Sequence, residues 1–165
     1  IKDVFEVDEK ENSRFSANQR TYHYFIHTKK NPFRRLYSYE YLHYPLNIKL
    51  MQEAAKELLN YTEFFPLIKL DKKNPRTNCQ VVTSKIEEIE EHCLRYEVSA
   101  NRFLHNMVRR IVGTLILIGR EKMSLYEFTD SMDNQTEMRL INRAPANGLH
   151  LVKINYPFLE SQNVK

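Results

Sequence analysis

Glycine is scarce in this 165-residue sequence: there are three, Gly113, Gly119 and Gly148. A loop that cradles phosphates needs several glycines close together, so nucleotide-dependent chemistry of that kind is excluded. Tryptophan is absent, and cysteine occurs twice, at 79 and 93. Two scattered thiols suit a reducing compartment, and a cytoplasmic protein is expected. The longest apolar stretch, Leu115 to Ile118, is far too short to span a membrane. No secretory leader is expected from an opening of Ile-Lys-Asp-Val-Phe, and a start at Ile rather than Met suggests a fragment or a processed chain. His23 and His27 are neighbours on a predicted strand, but no cysteine or carboxylate close by completes a tetrahedral set, so no metal is expected.

What is present describes a single globular domain over 1–165, with 42% hydrophobic and 28% charged residues. The net charge is +4 and the isoelectric point is near 9.0, which permits an acidic partner without demanding one. The ten tyrosines and nine phenylalanines are more informative, because many lie beside Arg or Lys. Rings stack on bases while cations meet phosphates, so this mixture suits nucleic acid. The phenylalanines are expected mostly in the core.

Arg20 to Thr28 reads as a strand rich in rings and β-branched residues, with Tyr22, Tyr24 and Ile26 on one face. A basic loop follows (Lys29, Lys30, Arg34, Arg35), then tyrosines at 37, 39, 41 and 44; it is either a solvated connection or a phosphate contact. Asn47 is a good cap for a helix to about Asn60, with a stripe of Ile48, Met51, Ala55, Leu58 and Leu59. Asp71 to Arg76 reads as a loop. Cys79 to Glu90 and Cys93 to Ser99 form a hairpin, with the glutamates at 87, 88, 90 and 91 read as a solvated turn. Arg102 to Gly119 is the clearest helical pattern, and a shorter helix covers Leu125 to Met132. Pro145 and Gly148 mark a turn before a last strand, Leu149 to Tyr156. Without regular βαβ alternation this order gives an α+β fold: a mainly antiparallel sheet with packed helices.

On the 102–119 pattern, Phe103, Leu104, Met107, Val108, Ile111, Val112 and Leu115 form an apolar face. Arg102, His105, Asn106 and Arg109 gather opposite, with no acid among them, as if arranged to meet anions. Gly113 lies in the same sector. A mid-helix glycine costs about 1 kcal/mol relative to alanine. Either something approaches the backbone there or the helix packs tightly on the sheet.

The segment SANRFLHNMVRRIVGTL (99–115) resembles the A-N-x-F-L-x-x-M-V-R-x-I-V-G-T-L signature of the TruA family of tRNA pseudouridine synthases. Phe15-Ser16-Ala17 with Arg20-Thr21-Tyr22-His23-Tyr24 is similar to that family's F-S-A…R-x-Y-x-Y strand. Ala144 to Leu149 resembles its A-P-A-x-G-L turn. The resemblance implies the C-terminal half of a pseudouridine synthase fold. It also implies isomerisation of uridine to pseudouridine at positions 38 to 40 of the tRNA anticodon stem-loop, without metal or cofactor. Tyr22 would stack on the target base and Arg109 would pair with the nucleophilic aspartate. Arg20, Lys29, Lys30, Arg34, Arg35, Asn101, Arg102, His105, Asn106 and Arg110 are the expected RNA contacts. A homodimer is implied for the full-length protein. No G-R-T-D-x-G-V-H motif occurs, so none of Asp3, Asp8, Asp71, Asp130 and Asp133 is assigned as nucleophile, and this chain alone is expected to be inactive. Asn60-Tyr61-Thr62-Glu63-Phe64 replaces the usual G-x-H-D-F, and Cys79 stands where a basic residue often follows. A non-catalytic RNA-binding module is the alternative.

Overall fold

The computed structural model describes residues 4, 6–68 and 76–160. Asp3, Asp71 and the predicted loop from Asp71, except for Arg76, lie outside them. A five-stranded mixed sheet forms the frame, consistent with an α+β fold. Its centre is β1 (Gln19–His27), antiparallel to β4 (Cys93–Ala100) on one side and to β5 (Leu149–Asn155) on the other. The short β2 (Tyr39–Glu40) continues beside β1 in parallel, and β3 (Val81–Glu90) pairs antiparallel with β4. The glutamates from 87 to 90 belong to β3 instead of a turn. Glu87 pairs with Arg95 across the hairpin, so the strand continues to a two-residue connection, where His92 takes a left-handed φ of 65°.

Strand alternation sends Tyr24, Ile26, Tyr96, Val98 and Ile86 into the core under the helices. Asn47 caps α1 (Ile48–Glu57) by accepting from the Leu50 amide, as its sequence position predicts. The helix then tightens into a 3-10 turn at Leu58–Asn60, which swings Leu59 outward to 44% exposure and leaves Ala54 in the buried stripe instead. The third helix, α3 (Leu125–Asp133), begins with a full capping box between Ser124 and Glu127.

The helix α2 (Met107–Gly119) starts five residues later than its apolar periodicity predicts. The chain leaving β4 bends at Asn101 and stays non-helical: the Asn101 amide donates to Gln80 O at 3.2 Å, and the Cys79 thiol donates to Arg102 O at 2.9 Å. Asn106 then adopts a left-handed φ of 60°, which asparagine tolerates better than most residues and which no α-helix can pass through. The predicted polar stripe is therefore broken. Arg102 and His105 precede the helix, and Arg109 and Arg110 lie within it.

Burial also fixes the protonation of several acids. It pushes the Cys79 thiol up to about 12. Burial, followed by the hydrogen bond to Asp133, lifts the Tyr61 phenol to about 12. Tyr24 and Tyr96 are raised further by the same loss of solvent. The folded state holds these protons more tightly than an unfolded chain, where the ordinary values are 9.0 for the thiol and 10.0 for phenol. Their contribution to stability is complete below the thiol's ordinary value and is lost as pH rises towards 12. Urea midpoints followed by circular dichroism should be level from neutrality to about pH 9 and fall steeply above it. A level profile through pH 11 would mean that these groups are not buried.

Candidate RNA-facing cleft and its arginine support

Two residues of the strand motif, Arg20 and Tyr22, open onto a cleft of about 540 Å³. Arg14, Arg76 and Arg102 also line it, so four arginines face it with no acid among the lining residues. Tyr22 stands edge-on to Phe103, with ring centroids 5.1 Å apart and planes at 89°. That contact, made from the non-helical 101–104 segment, braces one side of Tyr22, and Tyr22 also lines the cleft. Phe15, expected in the core, is 77% exposed at the rim, with the Arg14 guanidinium 5.4 Å from its ring centre. Phe33 is likewise exposed, at 91%. Among the described residues, Phe64 and Phe128 are the fully buried phenylalanines.

The expected RNA contacts divide sharply. Arg20 gives its guanidinium to three backbone carbonyls, Ala17, Asn101 and Arg14, and so staples the 14–17 segment to the end of β4. Asn101 accepts from the Gln80 amide at 2.9 Å. Arg34 is engaged by Glu90 at 2.7 Å and by the Cys93 sulfur, away from the cleft. Arg110 donates to Ile68 O and is not among the cleft residues; burial and the neighbouring Arg143 pull its pKa below the ordinary value. Lys29, Lys30, Arg35 and His105 are exposed, and the Asn106 carbonyl accepts from the Arg110 amide. Of the predicted set, Arg20, Tyr22, Asn101 and Arg102 share the cleft. Arg14 and Arg76 were not predicted, although Arg14 directly precedes the Phe15-Ser16-Ala17 motif and Arg76 directly precedes Thr77. Cys79 is buried against the Arg102 carbonyl and is no phosphate contact.

Arg109 occupies a different place, on the first turn of α2 beside Tyr24. Its Nε donates to Ala144 O at 2.6 Å, and its own carbonyl accepts from the Ala144 amide at 3.0 Å. Tyr24 donates its hydroxyl to Pro145 O at 2.7 Å. Asn147 donates to the carbonyls of Arg35 and Ser38, which ties the basic loop to the same turn. The turn at 144–148 thus connects β1, α2 and the basic loop. It also explains Gly113: a Cβ there would lie 2.0 Å from Asn142 O. What comes close is the chain's own backbone at Asn142 and Ala144. Among the described residues Arg109 makes no ion pair, and its one side-chain hydrogen bond is that of Nε.

An arginine-lined cleft beside a fixed ring has the pairing of cations and rings that suits nucleic acid. Residues 54–157 match the family model described as tRNA pseudouridine synthase. The tRNA pseudouridine synthase A of Bacteroides fragilis is 39% identical over 145 residues, covering 88% of this chain and 57% of that protein. That of Azobacteroides pseudotrichonymphae is 37% identical over 155 residues, covering 93% and 61%. That of a Thermoanaerobacter species is 34% identical over 153, covering 92% and 62%. The chain belongs to the tRNA pseudouridine synthase family and spans about three fifths of the length of these relatives.

Proposed function

We propose that this chain is the C-terminal, RNA-gripping part of an enzyme that isomerises uridine to pseudouridine in the tRNA anticodon stem-loop. The observation that carries the reading is Arg109, a guanidinium held at one nitrogen by Ala144 O, with its fork left for an incoming carboxylate. The nucleophilic aspartate would come from outside this chain. It would attack the target nucleotide, the bond between base and ribose would break, and the freed uracil would turn and rejoin through carbon. Tyr22, braced by Phe103, would stack on that uracil and keep it from leaving. Arg109 would orient the carboxylate and keep it ionised. The cleft arginines would meet the phosphates on either side. A cytoplasmic, homodimeric enzyme is the form proposed; among the described residues no helix is long and apolar enough to cross a membrane.

Incubating unmodified tRNA with the full-length parent should give pseudouridine in the anticodon stem-loop, mapped by carbodiimide labelling and primer extension. This chain alone should give none but should still bind the tRNA. Arg102→Ala should weaken that binding and lower the log–log salt slope by about one, while Arg34→Ala should change neither. Product from the chain alone would place the nucleophile within it. Binding without product from the parent would leave the RNA-binding module as the function.

A further inference from the structure

Ala144 and Pro145 carry three backbone polar groups between them, since proline has no N–H, and the fold uses all three. Arg109 takes both groups of Ala144: its Nε donates to the carbonyl at 2.6 Å, and its own carbonyl accepts from the amide at 3.0 Å. The third group, the Pro145 carbonyl, accepts from the Tyr24 hydroxyl at 2.7 Å. Tyr24 is fully buried and meets the turn again at Gly148, where a Cβ would lie 2.7 Å from its ring. Between the two carbonyls stand a planar peptide bond and the Pro145 φ of −54°, which the proline ring locks. Only ψ of Pro145 is soft there, and the bond from Tyr24 holds it. The direction of the Ala144 carbonyl, and with it the Arg109 guanidinium, is therefore set from the far side of the turn by a buried phenol. Burial also keeps that phenol protonated well above its ordinary range, so it donates at every pH where a carboxylate titrates.

We infer that Tyr24 is a positioning residue for the reaction: it touches no substrate, but fixes the turn that aims Arg109 at the nucleophilic carboxylate. The inference rests on the reading of Arg109 proposed above. It gives the two tyrosines of the strand motif separate tasks. Tyr22 lines the cleft, whereas Tyr24 lies in the core and is not among the lining residues.

Tyr24→Phe keeps the ring and removes only the hydroxyl, and Tyr96→Phe is its control. Tyr96 faces Tyr24 across the β1–β4 pairing, is as fully buried, and shares its hydrogen bond with the Ser84 hydroxyl, at 2.9 Å, instead of the turn. A merely structural phenol should give the same result at both positions. In this chain the Arg109 Nε–H resonance, assigned by its loss in Arg109→Lys, should move and exchange faster with water in Tyr24→Phe and stay in place in Tyr96→Phe. In the full-length parent Tyr24→Phe should lower kcat about tenfold with KM for tRNA little changed. It should also move the acid limb of the pH–rate profile to higher pH, as Arg109→Lys does, and add no further loss when combined with Arg109→Lys. An Nε–H signal that Tyr24→Phe leaves in place, or moves no more than Tyr96→Phe does, would overturn the inference. So would a kcat and an acid limb that the two phenylalanine variants change equally. Normal turnover by Arg109→Lys, with the Nε–H of the arginine still responding to Tyr24→Phe, would show that the reading of Arg109 has failed, and the positioning role would fall with it.

Discussion

Arg109→Lys in the full-length parent should fold as the wild type does and lose pseudouridine formation by about a hundredfold or more. The two halves of that expectation have separate causes. Folding at this position depends on the backbone: the Ala144 amide still donates to the carbonyl of residue 109, and the apolar side of α2 is untouched. Activity depends on the fork. Arginine can give Nε to Ala144 O and still present a second pair of N–H groups to a carboxylate. Lysine has one nitrogen on a flexible stem and cannot do both. The loss should appear in kcat with KM for tRNA little changed, because Arg109 is not among the residues lining the arginine cleft. Without a fixed cation beside it the carboxylate should also protonate more readily, so the acid limb of the pH–rate profile should move to higher pH. Near-normal turnover with an unshifted profile would remove Arg109 from the active site.

The sequence showed this position clearly and its surroundings poorly, for physical reasons. Strand β1 was legible because rings and β-branched residues alternate along it, and α1 because Asn47 stands where a cap must stand. The start of α2 was not. Phe103 and Leu104 keep a helical spacing with Met107 and Val108, yet they meet the core from a non-helical segment, with Phe103 braced on Tyr22. Periodicity records which residues are buried and not the backbone that buries them. The break comes from the left-handed Asn106 and from hydrogen bonds to Cys79 and Gln80, more than twenty residues away. Arg34 illustrates the same limit: its partner Glu90 is 56 positions distant, so a charge that looked free in the sequence is engaged in the fold. Gly113 was noticed for its cost, but its reason, the Asn142 carbonyl, becomes visible only once the 142–145 segment is in place.

That glycine gives the second large effect. Gly113→Ala should destabilise the chain by about 2 kcal/mol, although alanine is the better helix former by about 1 kcal/mol. The opposing term is steric. The new Cβ would sit 2.0 Å from Asn142 O and 2.6 Å from its carbonyl carbon, so backbone has to move. Overpacking of this kind costs about 1–3 kcal/mol and sits at the upper end when the obstacle is main chain, so it exceeds the gain in propensity. For a domain of this length the net loss corresponds to roughly 4–8 °C in Tm. Gly119→Ala supplies the comparison: its Cβ would meet Sδ and Cγ of Met51, a buried side chain that has to repack but is not main chain, so a smaller drop is expected. The activity of the Gly113→Ala parent should fall further than its stability requires at a temperature where it remains folded. The segment displaced is the one whose Ala144 carbonyl holds Arg109, and the loss should resemble that of Arg109→Lys in leaving KM for tRNA nearly unchanged. Thermal melts of both glycine variants, followed by kinetics well below the lower Tm, separate these effects. A Gly113→Ala protein as stable as wild type would show that the 142–144 backbone yields freely, and with it the claim that this segment fixes the arginine would fall.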